Sequence, residues 1–251
     1  MICDNITVNE KGHLCFAGRD TVELAEKYGT PLYLMDEEKI RENCRVYVNA
    51  LKKYFGENAL PIYASKANSF KRIYAIINEE GMGSDVVSSG EIYTAKKAGF
   101  PMEKTFFHSN NKTDADVEFA MENGVGFFVA DNSEELDAIN SKAKTRNIRQ
   151  KVLLRLTPGI DPHTFAAVAT GKVDSKFGAA IETGQAEELT KYALSLENID
   201  LQGFHCHVGS QVFYSEVYIK AAEIMLSFVK EMLRKYSFET KILDIGGGYG
   251  V

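Results

Sequence analysis

From about residue 30 onward the chain repeats one pattern: a short apolar run, then an amphipathic helical stretch, then another run. The runs fall at 32–35, 60–65, 83–87, 105–107, 126–130, 151–156, 201–206 and 241–245, each short enough to be a strand buried on both faces. Between them, the segment opened by Asp36 carries Ile40, Cys44, Tyr47, Val48 and Leu51 at the three-and-four spacing of a helix face. The segment opened by Ser215 does the same with Val217, Ala221, Ile224, Phe228 and Met232. Gly81, Gly99 and Gly124 each come after a helical stretch where a left-handed cap belongs. Strands that alternate with helices pair in parallel, and seven or eight such units favour a closed α/β barrel of the TIM type over an open doubly wound sheet. A barrel gathers its chemistry at the carboxyl ends of its strands, so the residues just after each apolar run carry the functional reading.

Residues 1–30 read differently. Ile6 to Val8 and His13 to Phe16, separated by Gly12, form a hairpin pattern, and a short helix from Thr21 to Tyr28 is closed by Gly29. A hairpin is too small to fold alone, so it is expected to pack on something else. A chain of 251 residues with 45% apolar composition can bury one large core, and a net charge of −6 with both signs spread along the sequence leaves no footprint for nucleic acid or an anionic membrane. A small-molecule partner is expected instead. Cys3, Cys15, Cys44 and Cys206 show neither metal-knuckle spacing nor a disulfide framework, no basic-then-apolar leader comes after Met1, and no run of about 18 apolar residues occurs. A cytoplasmic protein fits these features.

Four strand ends hold groups that could meet at one mouth. Lys66 comes directly after the 60–65 run and is a candidate amine nucleophile, although most lysines at strand ends are simply solvated. Asp85 lies in the next run and Glu91 opens the helix after it; each also reads as a cap or first-turn partner of the helix dipole. His205 and His207 would share a face by strand alternation, with Ser210 close behind. A metal could use such a pair, but no further histidine obviously completes its shell, so His207 is read as a ring-stacking or hydrogen-bonding group and no metal is expected. After the last run, Asp244 leads into Gly246, Gly247 and Gly248, a turn whose backbone N–H groups can approach an anion, most often phosphate. The same turn could open a nucleotide- or S-adenosylmethionine-binding fold, which would need further strands after it. A lysine, a ring-facing histidine and an anion cradle together describe a pocket for a phosphorylated carbonyl compound held as a Schiff base, which points to pyridoxal 5'-phosphate.

Six stretches carry a specific resemblance: Tyr63 to Asn68, Asp85 to Glu91, Phe107 to Lys112, Asp174 to Gly178, His205 to Gln211 and Leu243 to Gly248. In this order they resemble the fold-type III pyridoxal-phosphate decarboxylases, and His163, Thr170-Gly171 and Ser175 to Gly178 favour the diaminopimelate branch over the ornithine and arginine branches. Ser109 stands where the family usually has glycine. The resemblance implies a (β/α)8 barrel of the alanine racemase-like fold, with 1–30 as the N-terminal segment of a β domain and 31–251 as the cofactor-binding barrel without its last strand. The 32–35 run then becomes a lead-in, leaving seven barrel strands. The resemblance further implies that Lys66 carries the cofactor aldehyde and that His207 stacks on its ring. Ser210, Gly246, Gly247 and Gly248 would contact its phosphate, Arg155 would lie near the ring, and Asp85 and Glu91 would support the lysine. The implied reaction converts meso-diaminopimelate to L-lysine and CO2 in a homodimer; other amino-acid decarboxylases of the family and a non-catalytic cofactor-binding relative are the alternatives. The family's last barrel strand, its Glu-Pro-Gly-Arg loop, the carboxylate for the pyridine nitrogen and its C-terminal β domain have no counterpart in these residues. The 251-residue chain is therefore expected to be a fragment with little activity of its own.

Overall fold

The structure is a computed structural model that describes residues 3–160 and 177–250. It forms two compact units, one of Met1–Pro61 with Ile76–Met82 and one of Ile62–Ala75 with Gly83–Val251.

In the first unit, β1 (Ile6–Val8), β2 (Leu14–Phe16) and β3 (Arg19–Asp20) form an antiparallel meander, one strand more than the hairpin read from the sequence. Ala17 and Gly18, both at positive φ, turn the chain back into that third strand. Asp20 then caps α1 (Thr21–Tyr28) by accepting from the Val22 N–H at 2.9 Å, and Gly29 closes it. Asp36 caps α2 (Glu37–Phe55) and also accepts from the Asn5 side chain at 2.9 Å. The 32–35 run makes no strand. Leu32, Tyr33 and Met35 are exposed, Tyr33 at 96%, and Leu34 is half-buried, so apolar composition alone does not make the run part of a core.

The second unit is built on a parallel sheet. Its strands are β4 (Ile62–Ala64), β5 (Gly83–Val86), β6 (Thr105–Phe107), β7 (Phe127–Ala130), β8 (Gln150–Thr157), β10 (Ile199–His205) and β11 (Ile242–Asp244), paired in that order, with the short β9 (Ala179–Ala180) on the end of β8. The helices α4 (Ser89–Lys97), α5 (Asp114–Glu122), α6 (Ser133–Thr145), α7 (Gln185–Ser195) and α8 (Ser215–Tyr236) alternate with them, and α3 (Lys71–Glu79) precedes β5. Seven of the eight apolar runs are thus strands of one sheet. Ile62 and Ile242, from its two outermost strands, join Phe106, Phe127, Val129 and Leu153 in a single apolar cluster, so the sheet curls into a barrel wall that is open between β4 and β11 among the described residues. Phe106 and Phe127 stack at 4.5 Å inside this wall. On the outer face Phe204 is fully buried between Phe228 of α8 and Phe238, and each large side chain buried in this way stabilises the fold by about 2 kcal/mol.

Lys66, which follows the 60–65 run, lies in the middle of a 3-10 turn: Ser65–Ala67 closes it, with the Asn68 N–H on Ser65 O at 3.1 Å, and α3 begins at Lys71. Asn68 is extended, at φ −162°, and cannot be the first residue of a helix. Arg155 lies inside β8, two residues before its end, as the 151–156 run places it. The residues read as a diaminopimelate-type loop, His163, Thr170, Gly171, Asp174, Ser175 and Lys176, lie outside the described residues.

Candidate active site at the strand ends

Ser65, fully buried, sets the place of the Lys66 turn. Its hydroxyl lies 2.7 Å from Asp85 O and 2.7 Å from Glu91 Oε2, and the same carboxylate oxygen accepts the Val87 N–H at 2.7 Å. Tyr74, also fully buried, donates its hydroxyl to Glu91 O at 3.2 Å. Glu91 thus ties the turn after β4 to the loop after β5, while the Lys66 side chain itself is exposed at the mouth. Its charge reaches Asp85 and His207 and biases the ionisation of both.

Strand register explains why a second set of groups converges. Asp85 is paired with Phe106, whose ring points into the barrel, so Asp85 and, two residues beyond Phe106, His108 share the inner face. His205 is paired with both Arg155 and Asp244, which puts those three on one face as well. The His108 and His205 rings meet edge to face at 4.5 Å, and His108 Nε2 lies 3.3 Å from Asp85 Oδ1. Burial, with Asp244 and Glu91 nearby, raises the Asp85 carboxyl well above the usual carboxylate range, Lys66 and Arg155 opposing. Burial lowers both imidazoles well below the usual histidine range and keeps them neutral, with Lys112 and Arg155 adding to the effect. Asp244 is pushed up to about 6 by burial, offset in part by the Gly246 N–H it accepts at 2.8 Å and by Arg155. His108, His205 and Asp244 bring one donor atom each within 4.8 Å of one another, but the cationic Arg155 and Lys112 beside them oppose a further positive charge.

His207 parts from His205 and turns to the glycine stretch. A Cβ at Gly246 would stand 2.6 Å from Cys206 O and 2.9 Å from His207 Nδ1, and one at Gly248 would stand 1.9 Å from Gly209 O and 3.0 Å from His207 Cε1. Both glycines hold positive φ, 73° and 90°, so the turn can lie against the His207–Gly209 backbone only without side chains. A Cβ at Gly247 would meet nothing within 4 Å, which leaves open space on that side. The turn is fastened by the Val212 N–H on Gly248 O at 2.9 Å and the Gly250 N–H on Val212 O at 3.0 Å. Ser210 lies at the same mouth, half-buried like His207. Burial lowers His207 to about 4, with Arg155 and Lys66 contributing, so its ring is neutral and suited to stacking.

The structure adds groups that sequence reasoning passed over. Lys112, its side chain fully buried, donates to Ser109 O and Val129 O at 2.8 Å each and to Glu135 at 2.6 Å. Asp131, one residue past β7, accepts from the Gly178 N–H at 3.2 Å and faces Arg155. It was open to the same strand-end rule that singled out Lys66. Arg155, buried, is covered by the Phe177 ring at 4.4 Å. At Gly178, φ 71°, a Cβ would stand 2.9 Å from Arg155 O, so glycine lets the chain fold over the arginine. Asp131 also lines a cavity of about 500 Å³ with Asn110, Gly178, Gln185 and Tyr192.

Residues 37–251 match the family model described as pyridoxal-dependent decarboxylase, pyridoxal binding domain. The chain is 46% identical over 244 residues to the diaminopimelate decarboxylase of Bacillus methanolicus, covering 97% of this chain and 56% of that protein, and 42% identical over 243 residues to that of Bacillus subtilis, covering 97% and 55%. The crystal structure of diaminopimelate decarboxylase from Methanocaldococcus jannaschii superposes with a TM-score of 0.88 at 34% identity, covering 99% of this chain and 57% of that one. A Vibrio vulnificus lysine/ornithine decarboxylase complexed with cadaverine gives 0.75 at 25% identity, covering 98% and 58%. The chain therefore spans about 56% of the length of its first curated relative, and its fold is the alanine racemase-like barrel of these enzymes, incomplete. The cofactor of these enzymes, pyridoxal phosphate, is tested by the donors present. An exposed lysine whose charge reaches Asp85 offers the amine for its aldehyde, a neutral imidazole offers a ring face, and a turn that admits no side chain at Gly246 or Gly248 offers backbone N–H groups for its phosphate. These groups fit that cofactor. The chain belongs to the pyridoxal-dependent decarboxylases, and residues 37–251 are its pyridoxal binding domain.

Proposed function

We propose that this chain is the cofactor-carrying portion of an enzyme that decarboxylates meso-diaminopimelate to L-lysine and CO2. The convergence of the Lys66 turn, Asp85, His207 and the Gly246–Gly248 turn on one barrel mouth is the observation that carries this reading, and the relatives named diaminopimelate decarboxylase support the substrate. In this reading 1–30 belongs to a β domain and 31–251 to the barrel, and the longer protein works as a cytoplasmic homodimer without a nucleic-acid partner. The mixed surface charge supports the last point.

Lys66 would hold the aldehyde through Nζ, His207 would lie on the ring face, and Ser210 with the Gly246–Gly248 backbone would hold the phosphate. When bound, pyridoxal phosphate supplies the sink for the electron pair left on the substrate carbon as CO2 departs. The protein's own work is to position and to move protons. Glu91 fixes the Lys66 turn through Ser65. Asp85 stands next to the amine and supports its positive charge. Once a substrate amine has taken its place, Lys66 Nζ is free to return a proton to the reacting carbon, a general-acid role suited to an exposed amine at the mouth. Arg155, held by Phe177 and Asp131, keeps a positive charge near the ring.

Extended to the length of its relatives and supplied with pyridoxal phosphate, the protein is expected to release CO2 from meso-diaminopimelate and form L-lysine, with ornithine and arginine far slower. Faster release from ornithine or arginine would replace this substrate with that of another branch. The 251-residue chain alone is expected to bind the cofactor and turn over little.

A further inference from the structure

We infer that His108 is a positioning residue: through Nε2 it steadies the Asp85 carboxylate beside the Lys66 turn and so sets the pH range in which Lys66 captures an aldehyde. This rests on the reading of Lys66 as the aldehyde-binding lysine.

The His108 backbone is fixed from both sides. Its N–H donates to Val86 O at 2.9 Å, which carries the β5–β6 ladder one step past the strands. The loop after it is held by Lys112 on Ser109 O, with Ser109 itself at φ 133°. The ring is pressed edge to face on His205 at 4.5 Å and is buried. Nε2 is thereby directed at Asp85 Oδ1, 3.3 Å away. That oxygen is buried and has no hydrogen-bond partner among the described residues. The contact is too poorly aligned for a hydrogen bond in this state, and a small rotation of the carboxylate would close it, as polar contacts in a pocket do when a ligand binds. A neutral imidazole protonated on Nε2 donates to an ionised Asp85 and offsets part of its burial cost. The charged and titratable groups facing the pair are Lys66, Glu91, Lys112, Arg155, His205, His207 and Asp244. Without His108, Asp85 takes up a proton more readily and no longer presents a negative charge to the Lys66 turn, so aldehyde capture extends to lower pH.

The test titrates pyridoxal phosphate into the 251-residue chain across the neutral to alkaline range and monitors the visible absorbance of the lysine-bound aldehyde. His108→Phe is expected to move the midpoint of capture down by about half a pH unit or more, roughly a threefold change in capture at a fixed pH, and His108→Gln, which keeps a donor, to bring it back. A merely structural role would weaken capture without moving the midpoint. An unchanged midpoint in His108→Phe, or the same shift in His108→Gln, overturns the inference. Should His108→Phe not fold, Asp85→Asn carries the test: it is expected to give the same downward shift, and a further shift on adding His108→Leu, which removes the donor, overturns the inference. Capture that survives Lys66→Ala would instead overturn the reading of Lys66.

Discussion

Asp244 shows how much one residue of this site costs the fold. Its carboxyl is pushed up to about 6 by burial, against an ordinary value of 3.8. Between these values the folded chain binds a proton that the unfolded chain releases, so this group's contribution to stability falls as pH rises through that window. Asp244→Asn keeps an oxygen for the Gly246 N–H and removes the charge. It is expected to raise stability by about 1–3 kcal/mol at pH about 7.5 and to change it little at pH about 4, read by thermal unfolding at the two values. An equal effect at both would contradict the account. His207, lowered to about 4, has the opposite sign: its stability contribution is complete above the ordinary histidine range and is lost as pH falls toward 4. Residue identity was the most legible level of the candidate site. Lys66, Asp85, His207 and the glycines could be named because they stand at or near the carboxyl end of an apolar run; His108 and Asp131 stand at such ends too, but what they touch is set by strand register and neighbours.

At the scale of elements, the turns are where chemistry and backbone meet. The Gly246–Gly250 turn packs on the end of β10 at distances that exclude a side chain, and Gly248→Ala would put a Cβ 1.9 Å from Gly209 O at φ 90°. It is expected to lower pyridoxal phosphate affinity at least about tenfold, because a displacement that costs about 1.4 kcal/mol of phosphate binding is tenfold, while Gly247→Ala, which meets nothing within 4 Å, is expected to perturb the packing far less. Equilibrium dialysis of the cofactor checks both, and unchanged affinity in Gly248→Ala would remove the turn from the site. The turn around Lys66 shows a related limit. Ile73, Ile76 and Ile77 lie at helical spacing in α3, but the chain before it is held by Ser65, Asp85 and Glu91, which close a 3-10 turn first. Local pattern gives the existence of an element; tertiary hydrogen bonds set its boundary.

For the whole molecule, the period of the sequence carried most of the fold, because parallel strands buried on both faces must be short, apolar and separated by helices. Seven of the runs pair in chain order, and the eighth, with Tyr33 96% exposed, lacks the burial that would make it a strand. The curl of the sheet was not legible locally, since it shows in Ile62 and Ile242, 180 residues apart in sequence by their numbers, packing on one apolar cluster. The resemblance to a decarboxylase supplied the seven-strand count, and the seven strands that pair in chain order agree with it. The central claim is that these strand ends form one cofactor pocket with Lys66 as its covalent anchor. Reduction of the pyridoxal phosphate-treated chain with borohydride, with peptide mapping of the product, is the most direct measurement of it. The account predicts one labelled peptide, the one containing Lys66, and its loss in Lys66→Ala. A label on Lys112 or another lysine, or no label at all, would contradict it.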